Sequence, residues 1–253
     1  ADDLRVFADF LSSDYDISMN TIVTNMTLMR TVCNWVRKQG VTNNDPFFGY
    51  DMPKALYGTP YFLTIQERDQ VLDADLTDDA ELAEYRDMFV FQCMVGCRHS
   101  DLVTFTPKNI IDGVLEYIPI KTKGKLGDVV RVPLIPKAMA ILDGHDHGDD
   151  EPIFPKHYNF KFNDAIRRIL KRAKVNRVVT VINPKTRLEE KKPISDVATS
   201  HLARRTFIGN LYRMVKDPDL VASMSGHAKG SVAFARYRVI DDDMKKSLVE
   251  LIQ

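Results

Sequence analysis

Four short segments of the chain carry side chains that can bind a phosphate and react with it. Together with a tyrosine that follows the last of them, they supply three arginines, a cluster of lysines and three histidines, in a fixed order along the sequence. A pair such as His-x-x-Arg arises often by chance, so the inference depends on the ordered set. The segments are Gly96–Leu102 (GCRHSDL), Lys121–Lys125 (KTKGK), His201–Phe207 (HLARRTF) and Ser225–His227 (SGH), which Tyr237 follows.

The residue types in these segments favour phosphoryl transfer. The guanidiniums of Arg98 and Arg204 can hold the nonbridging oxygens of one phosphate and stabilise the charge that develops on a five-coordinate phosphorus. His201 lies three residues before Arg204, so the two share a face if the segment is helical. A tyrosine hydroxyl has a pKa of about 10, so Tyr237 needs such a field and a proton acceptor to attack. A histidine can accept that proton, and a hairpin lysine can protonate the leaving oxygen.

The ordered set resembles the tyrosine recombinase (phage integrase) family. Members carry an arginine in a G-x-R-x-S-[D/E]-L-like segment, then a hairpin lysine, an H-x-x-R pair, a G-H pair and a tyrosine. The resemblance covers residues 61–253, and the first helices resemble the core-binding domain of the family more weakly. From His227 to Tyr237 there is one residue more than in many members. The catalytic residues that the resemblance implies are Arg98, Lys121, His201, Arg204, His227 and Tyr237.

The resemblance also implies an activity and its partners. We expect a site-specific DNA recombinase, or integrase, that cleaves and rejoins strands through a 3′-phosphotyrosyl intermediate, with no metal, ATP or other cofactor. Its partners would be double-stranded DNA at specific sites, a homo-oligomer (a tetramer on DNA) and accessory DNA-bending proteins. Its expected location is the bacterial cytoplasm, in association with the nucleoid. The lysine-rich hairpin and the insertion before the H-x-x-R helix are similar to integrases of Bacteroides mobile elements.

The sequence leaves several alternatives open. Lys123 is the runner-up to Lys121 as the proton donor, because both lie in the predicted hairpin turn. Arg98 can simply pair with Asp101, since ion pairs are common, and Tyr237 can be a core aromatic. A type IB topoisomerase uses similar chemistry to relax supercoils, and a catalytically inactive DNA-binding protein can keep the same fold.

The elements around these segments predict a mainly α fold with a small antiparallel β-sheet, arranged in two domains. Residues 1–52 are assigned to a helical core-binding domain, 53–60 to a linker rich in helix breakers, and 61–253 to a catalytic domain. Because the sequence starts at Ala1 rather than Met, the first domain is expected to be incomplete, and it stays open whether an arm-binding domain precedes it.

Hydrophobic periodicity places the individual elements. In the first domain a helix from about residue 20 carries an apolar stripe and ends at Lys38-Gln39-Gly40, after a Ser18 cap. The stripe consists of Ile22, Met26, Met29, Val32, Cys33 and Val36. In the second domain we expect a capping box at Thr64–Glu67, strands over 114–120 and 129–134, a hairpin over 178–193, and helices over 80–95, 159–174, 200–215, 218–225 and 241–250.

Charge is distributed unevenly along a chain whose formal net charge is zero. Acidic residues outnumber basic ones between Tyr61 and Asp101, and the reverse holds between Lys156 and Lys192. This pattern predicts a basic face for a polyanion, although a solvated helix face would look the same. The candidate phosphate contacts are Lys123, Arg167, Arg168, Lys171, Arg172 and Lys174.

Composition excludes some classes of protein. No apolar run approaches the ~20 residues that span a bilayer, so we expect no membrane association. The cysteines, Cys33, Cys93 and Cys97, lack the further ligands of a metal site, and buried free thiols are the favoured interpretation.

Overall fold

The computed structural model describes residues 2–122, 129–145, 148–155, 158–215, 217–226 and 249–250. Most of them lie in helices, and the strands form two small sheets, so the predicted mainly α fold class is confirmed. The chain divides into two compact units. The first contains residues 1–58 and 180–191, and the second contains residues 59–179 and 192–253.

Two helices, α1 (Asp2–Ser13) and α2 (Met19–Lys38), build the first unit. Ser18 caps α2 by accepting a hydrogen bond from the backbone of Thr21, as expected. Ile22 and Met26 are fully buried against α1 and the following loop. The predicted stripe was too wide, because Val32 is 53% exposed.

A hairpin distant in sequence also belongs to the first unit. Strands β4 (Val178–Ile182) and β5 (Glu189–Pro193) pair as predicted. Between them, Asn183 accepts hydrogen bonds from the backbone of Lys185 and Thr186, which closes the turn. The turn contacts the first helices, since the carbonyl of Pro184 accepts from the backbone N–H of Met19 over 3.3 Å. The sequence-based assignment followed chain order and placed these residues in the second domain.

Helix α4 (Ala80–Val95) forms the centre of the second unit. From Met88 to Val95 every side chain of α4 is buried, which is expected of a helix that is apolar on all sides. It packs against α3 (Ile65–Leu72), α6 (Pro136–Asp143), α7 (Asn159–Arg172) and α9 (Ser200–Val215). The shorter helices are α5 (His99–Leu102), α8 (Ile194–Val197) and α10 (Pro218–Ser225).

The start of α3 and the bounds of α9 and α10 agree with the sequence-based predictions. The capping box at the start of α3 is present, with Thr64 and Glu67 each bonding the other's backbone. Helices α9 and α10 begin and end where the sequence pattern placed them. The predicted helix over 241–250 lies outside the described residues except at its last two positions. Among the described residues, no helix combines the length and the apolar character needed to cross a bilayer.

An antiparallel sheet with the order β1-β2-β3 packs against α10 through β3. Its strands are β1 (Ile110–Ile111), β2 (Val114–Tyr117) and β3 (Val130–Pro133). The predicted first strand was too long, because β2 ends at Tyr117 and residues Ile120–Thr122 form a 3₁₀ turn. Pro119 explains the end, since it cannot donate to a strand partner.

Candidate active site

Arg204 lies on the buried face of α9, with 1% of its surface exposed. Its Nη1 atom donates a hydrogen bond to the carbonyl oxygen of Gly96 over 2.7 Å. A buried guanidinium is costly unless it is hydrogen-bonded, so this contact fixes Arg204 against the end of α4. The bond brings Arg204 to the segment that carries Arg98.

Gly96 permits this approach in two ways. It ends α4 in the left-handed conformation with φ 69°, which residues with a Cβ atom adopt at a cost. A Cβ atom here would lie 2.2 Å from Cδ1 of Phe207, on α9. The glycine therefore lets α9 pack directly on the end of α4.

Arg98 directly precedes α5 in an extended conformation, and its side chain is 25% exposed. Its Nη1 atom lies 4.0 Å from Oδ2 of Asp101, which is too long for a hydrogen bond. Arg98 therefore contacts Asp101 only loosely. This does not favour the alternative that Arg98 serves only to pair with Asp101. The Asp101 carboxylate therefore holds the guanidinium only weakly.

Asp101 connects the arginine segment to the lysine segment. The carboxylate is buried, and its Oδ1 atom accepts a hydrogen bond from the backbone N–H of Ile120 over 2.9 Å. Lys121 follows in the 3₁₀ turn, with its side chain exposed. The backbone before Lys121 is therefore anchored while the ammonium can move in solvent. Lys123, the alternative proton donor, lies outside the described residues.

The SGH segment reaches the same turn through Gly226. This glycine ends α10 with φ 62°. A Cβ atom on it would lie 3.0 Å from Cγ2 of Val130 and 3.1 Å from Cγ of Pro119. The structure thus places the residue before His227 against Pro119 and Val130, which lie on either side of Lys121 in the sequence. His227 itself and Tyr237 lie outside the described residues.

His201 is exposed and lies one helical turn before Arg204 on α9. The buried arginine and the exposed histidine therefore stand at different depths on the same helix.

Tyr117 is a residue near this cluster that the sequence pattern did not single out. It ends β2 with 7% of its surface exposed, and its ring packs edge-on against Phe105. Burial raises the pKa of its hydroxyl well above the ordinary value, so the phenol stays protonated at neutral pH and can donate a hydrogen bond. Other groups that act on this pKa are Cys97, Arg204, Asp101 and Arg98.

The cysteines near the site are buried and free. Burial raises the pKa of the Cys93 and Cys97 thiols above their ordinary value. Since the thiolate is the reactive form, both are inert structural groups, and the sequence-based interpretation of these two is confirmed.

Helix α7, the predicted basic helix, forms ion pairs with acidic residues of the same unit. Arg172 contacts Asp78 over 2.5 Å, and Arg168 contacts Asp79 over 2.8 Å. The two other pairs are Lys171–Asp196 and Arg167–Asp164. Lys174 follows the helix in a left-handed conformation. These ion pairs therefore neutralise part of the basic charge of α7 within the chain.

Residues 61–244 match the Phage integrase family, which is more than half of the chain. The chain belongs to the phage integrase family. It is a tyrosine site-specific recombinase, an enzyme of DNA integration and recombination. A Bacteroides type remains a prediction.

Solved structures of integrases and recombinases share the fold. The Tn1549 transposon integrase in complex with circular intermediate DNA has a TM-score of 0.70 at 16% identity, covering 98% of this chain and 84% of that one. A lambda integrase dimer bound to a core site has a TM-score of 0.64 at 15% identity, covering 94% and 78%. The XerH recombinase bound to difH substrate has a TM-score of 0.61 at 16% identity, covering 99% and 70%. A search of curated proteins found no significant match.

Proposed function

We propose that this recombinase cleaves and rejoins DNA strands through a 3′-phosphotyrosyl bond to Tyr237, without metal or ATP. The observation that carries the proposal is the hydrogen bond from Arg204 to Gly96. It joins Arg204, on α9, to the residue two positions before Arg98, and two guanidiniums in one region of the fold can hold one phosphate. A phosphate suits such a pair, because its nonbridging oxygens accept forked hydrogen bonds from guanidiniums.

The reaction conserves the energy of the phosphodiester. The Tyr237 oxygen attacks the phosphorus, its proton passes to a base, and the bond from phosphorus to the 5′-oxygen breaks. Arg98 and Arg204 stabilise the negative charge on the nonbridging oxygens as five-coordinate phosphorus forms. In the second half, a 5′-hydroxyl from another strand attacks the phosphotyrosine, and Tyr237 leaves with a proton. One ester replaces another, so no nucleotide is consumed.

The remaining residues move protons and hold the phosphate. Lys121 donates a proton to the leaving 5′-oxygen, since its ammonium is exposed and its backbone is anchored through Ile120. His201 accepts the tyrosine proton, because an imidazole titrates near neutral pH. His227 hydrogen-bonds the phosphate. Lys123 stays the alternative to Lys121.

Duplex DNA at specific recombination sites is the proposed substrate. The solved relatives bound to a core site, to difH substrate and to circular intermediate DNA support this assignment. We propose a tetramer on DNA, aided by accessory DNA-bending proteins, in the bacterial cytoplasm on the nucleoid. Backbone phosphates would be contacted by Lys123 and by the residues of and after α7, namely Arg167, Arg168, Lys171, Arg172 and Lys174.

A strand-transfer assay tests this function. The protein is mixed with two labelled duplexes from the ends of the DNA element that encodes it, each of a different length. Recombination predicts joined products of new length, formed in EDTA and without ATP. Relaxation of a supercoiled plasmid without new joints would favour the topoisomerase activity instead. Binding without cleavage in both assays would favour an inactive DNA-binding protein.

A further inference from the structure

Three buried polar atoms near the site lack a hydrogen bond to any residue that the structure describes. They are Nη1 of Arg98, Oδ2 of Asp101 and the hydroxyl of Tyr117. Buried polar atoms usually have partners, because an unsatisfied one costs about 1–3 kcal/mol. They lie on neighbouring elements and form a cluster of buried polar groups that the described residues do not satisfy.

The chemistry of the three atoms is complementary. Oδ2 of Asp101 is an acceptor with the loose cation of Arg98 4.0 Å away. The Tyr117 hydroxyl is a donor, because its raised pKa keeps it protonated. When a phosphate attracts the Arg98 guanidinium, Asp101 loses part of its counter-charge and needs a new donor. The nearby phenol can supply that donor without adding charge.

We propose that Tyr117 is a positioning residue, whose hydroxyl donates to Oδ2 of Asp101 when a phosphate occupies the site. Asp101 then keeps its hydrogen bond with the backbone N–H of Ile120. This holds Lys121 close to the leaving oxygen. Tyr117 acts through Asp101 and does not touch the phosphate. This inference rests on the proposed function, since it concerns the same cleavage step.

Burial geometry favours this role over a purely structural one. A tyrosine that only filled the core would do so equally well as phenylalanine, and its hydroxyl would add the cost of an unsatisfied group. The ring of Tyr117 already packs against Phe105, with centroids 4.9 Å apart. The hydroxyl is not needed for that packing. Its role is therefore to interact with the polar groups of Arg98 and Asp101.

Single-turnover cleavage of nicked duplexes by Tyr117→Phe tests the proposal. Nicked duplexes from the ends of the encoding element trap the covalent adduct, and its rate of formation is measured against protein concentration. We expect the rate at saturating protein to fall about tenfold, the effect of losing one hydrogen bond to a carboxylate. The half-saturating protein concentration and the melting temperature should stay unchanged. Tyr85→Phe is the matched control: it is also buried, but its hydroxyl interacts with Glu81, and its cleavage rate should equal that of wild type.

A double variant separates positioning through Asp101 from an independent effect. Asp101→Asn should slow cleavage, and adding Tyr117→Phe should slow it no further, because both remove the same link. The proposal would be overturned if the rate losses of the two single variants multiplied in the double variant. A wild-type cleavage rate for Tyr117→Phe would also overturn it, as would a rate loss accompanied by a matching fall in melting temperature. A wild-type protein that forms no adduct on any duplex would overturn the proposed function, and this inference with it.

Discussion

The guanidinium of Arg204 donates a hydrogen bond to the carbonyl oxygen of Gly96 over 2.7 Å, joining the middle of α9 to the end of α4. The two residues lie far apart in the sequence, so no local motif reveals this bond. It joins the GCRHSDL and HLARRTF segments in the folded chain.

Replacing Gly96 with alanine should destabilise the protein and reduce its cleavage activity. The new Cβ atom would meet the ring of Phe207 at 2.2 Å, in a backbone with φ 69°. We expect a loss of more than about 2 kcal/mol in the free energy of unfolding, from strain and overpacking together. Gly113→Ala is the control, since it has φ 73° with no atom within 4 Å and should cost only about 1 kcal/mol. Equal losses in chemical denaturation would show that the Phe207 contact is unimportant.

Replacing Arg204 with lysine should reduce strand cleavage by about 10²–10³-fold, because an ammonium cannot bond Gly96 and a phosphate with one planar fork. DNA affinity should change little, since the loss falls on the transition state. The neighbouring Arg205 stacks over the ring of Tyr61 at 5.1 Å, so Arg205→Lys should keep near wild-type cleavage. Single-turnover rates and gel-shift affinities provide both readouts. The role of Arg204 would be refuted by equal rates for the two variants.

Lys121→Ala and Lys123→Ala should differ in their response to the leaving group. Loss of the proton donor should slow cleavage about a hundredfold or more. A substrate whose leaving 5′-oxygen is replaced by sulfur needs little protonation, because a thiol has a pKa of about 8.5. We therefore expect this substrate to restore cleavage by Lys121→Ala. Restoration only for Lys123→Ala would assign the proton donor to Lys123.

Helix α7 should bind phosphates through residues that now pair with aspartates. Exposed ion pairs are weak, so a phosphate can replace Asp78 as the partner of Arg172. Asp78→Asn should then tighten DNA binding, whereas Arg172→Ala should weaken it and reduce the salt-dependence slope by about one. The measurement is DNA affinity over a series of salt concentrations. If neither variant changes affinity or slope, the ion pair is only structural.

Local signals in the sequence predicted much of the fold. The capping box at Thr64 and Glu67 and the unbroken apolar run from Met88 each depend on residues close in the chain, and both are present in the structure. The end of β2 was missed because the apolar alternation continues through Ile118 and Ile120, while Pro119 removes the strand's hydrogen bond.

Features that depend on residues far apart could not be predicted in the same way. The pairing of Arg172 with Asp78 accounts for part of the charge asymmetry, but either charge run alone looks like a surface for a partner. The role of Asp101 as acceptor for Ile120 was missed although Asp101 lies inside a motif. Nothing in the sequence distinguishes Tyr117 from other strand aromatics, because its significance comes from buried neighbours.

The most direct test of the central claim is covalent trapping at Tyr237. Wild type, Tyr237→Phe and Tyr212→Phe are each incubated with nicked duplexes from the ends of the encoding element, and adducts are separated on a denaturing gel. Tyr212 lies in α9 and controls for loss of a hydroxyl elsewhere. We predict an adduct with wild type and Tyr212→Phe and none with Tyr237→Phe, with the nucleotide-bearing peptide containing Tyr237. An adduct that persists in Tyr237→Phe would contradict the assignment of the nucleophile.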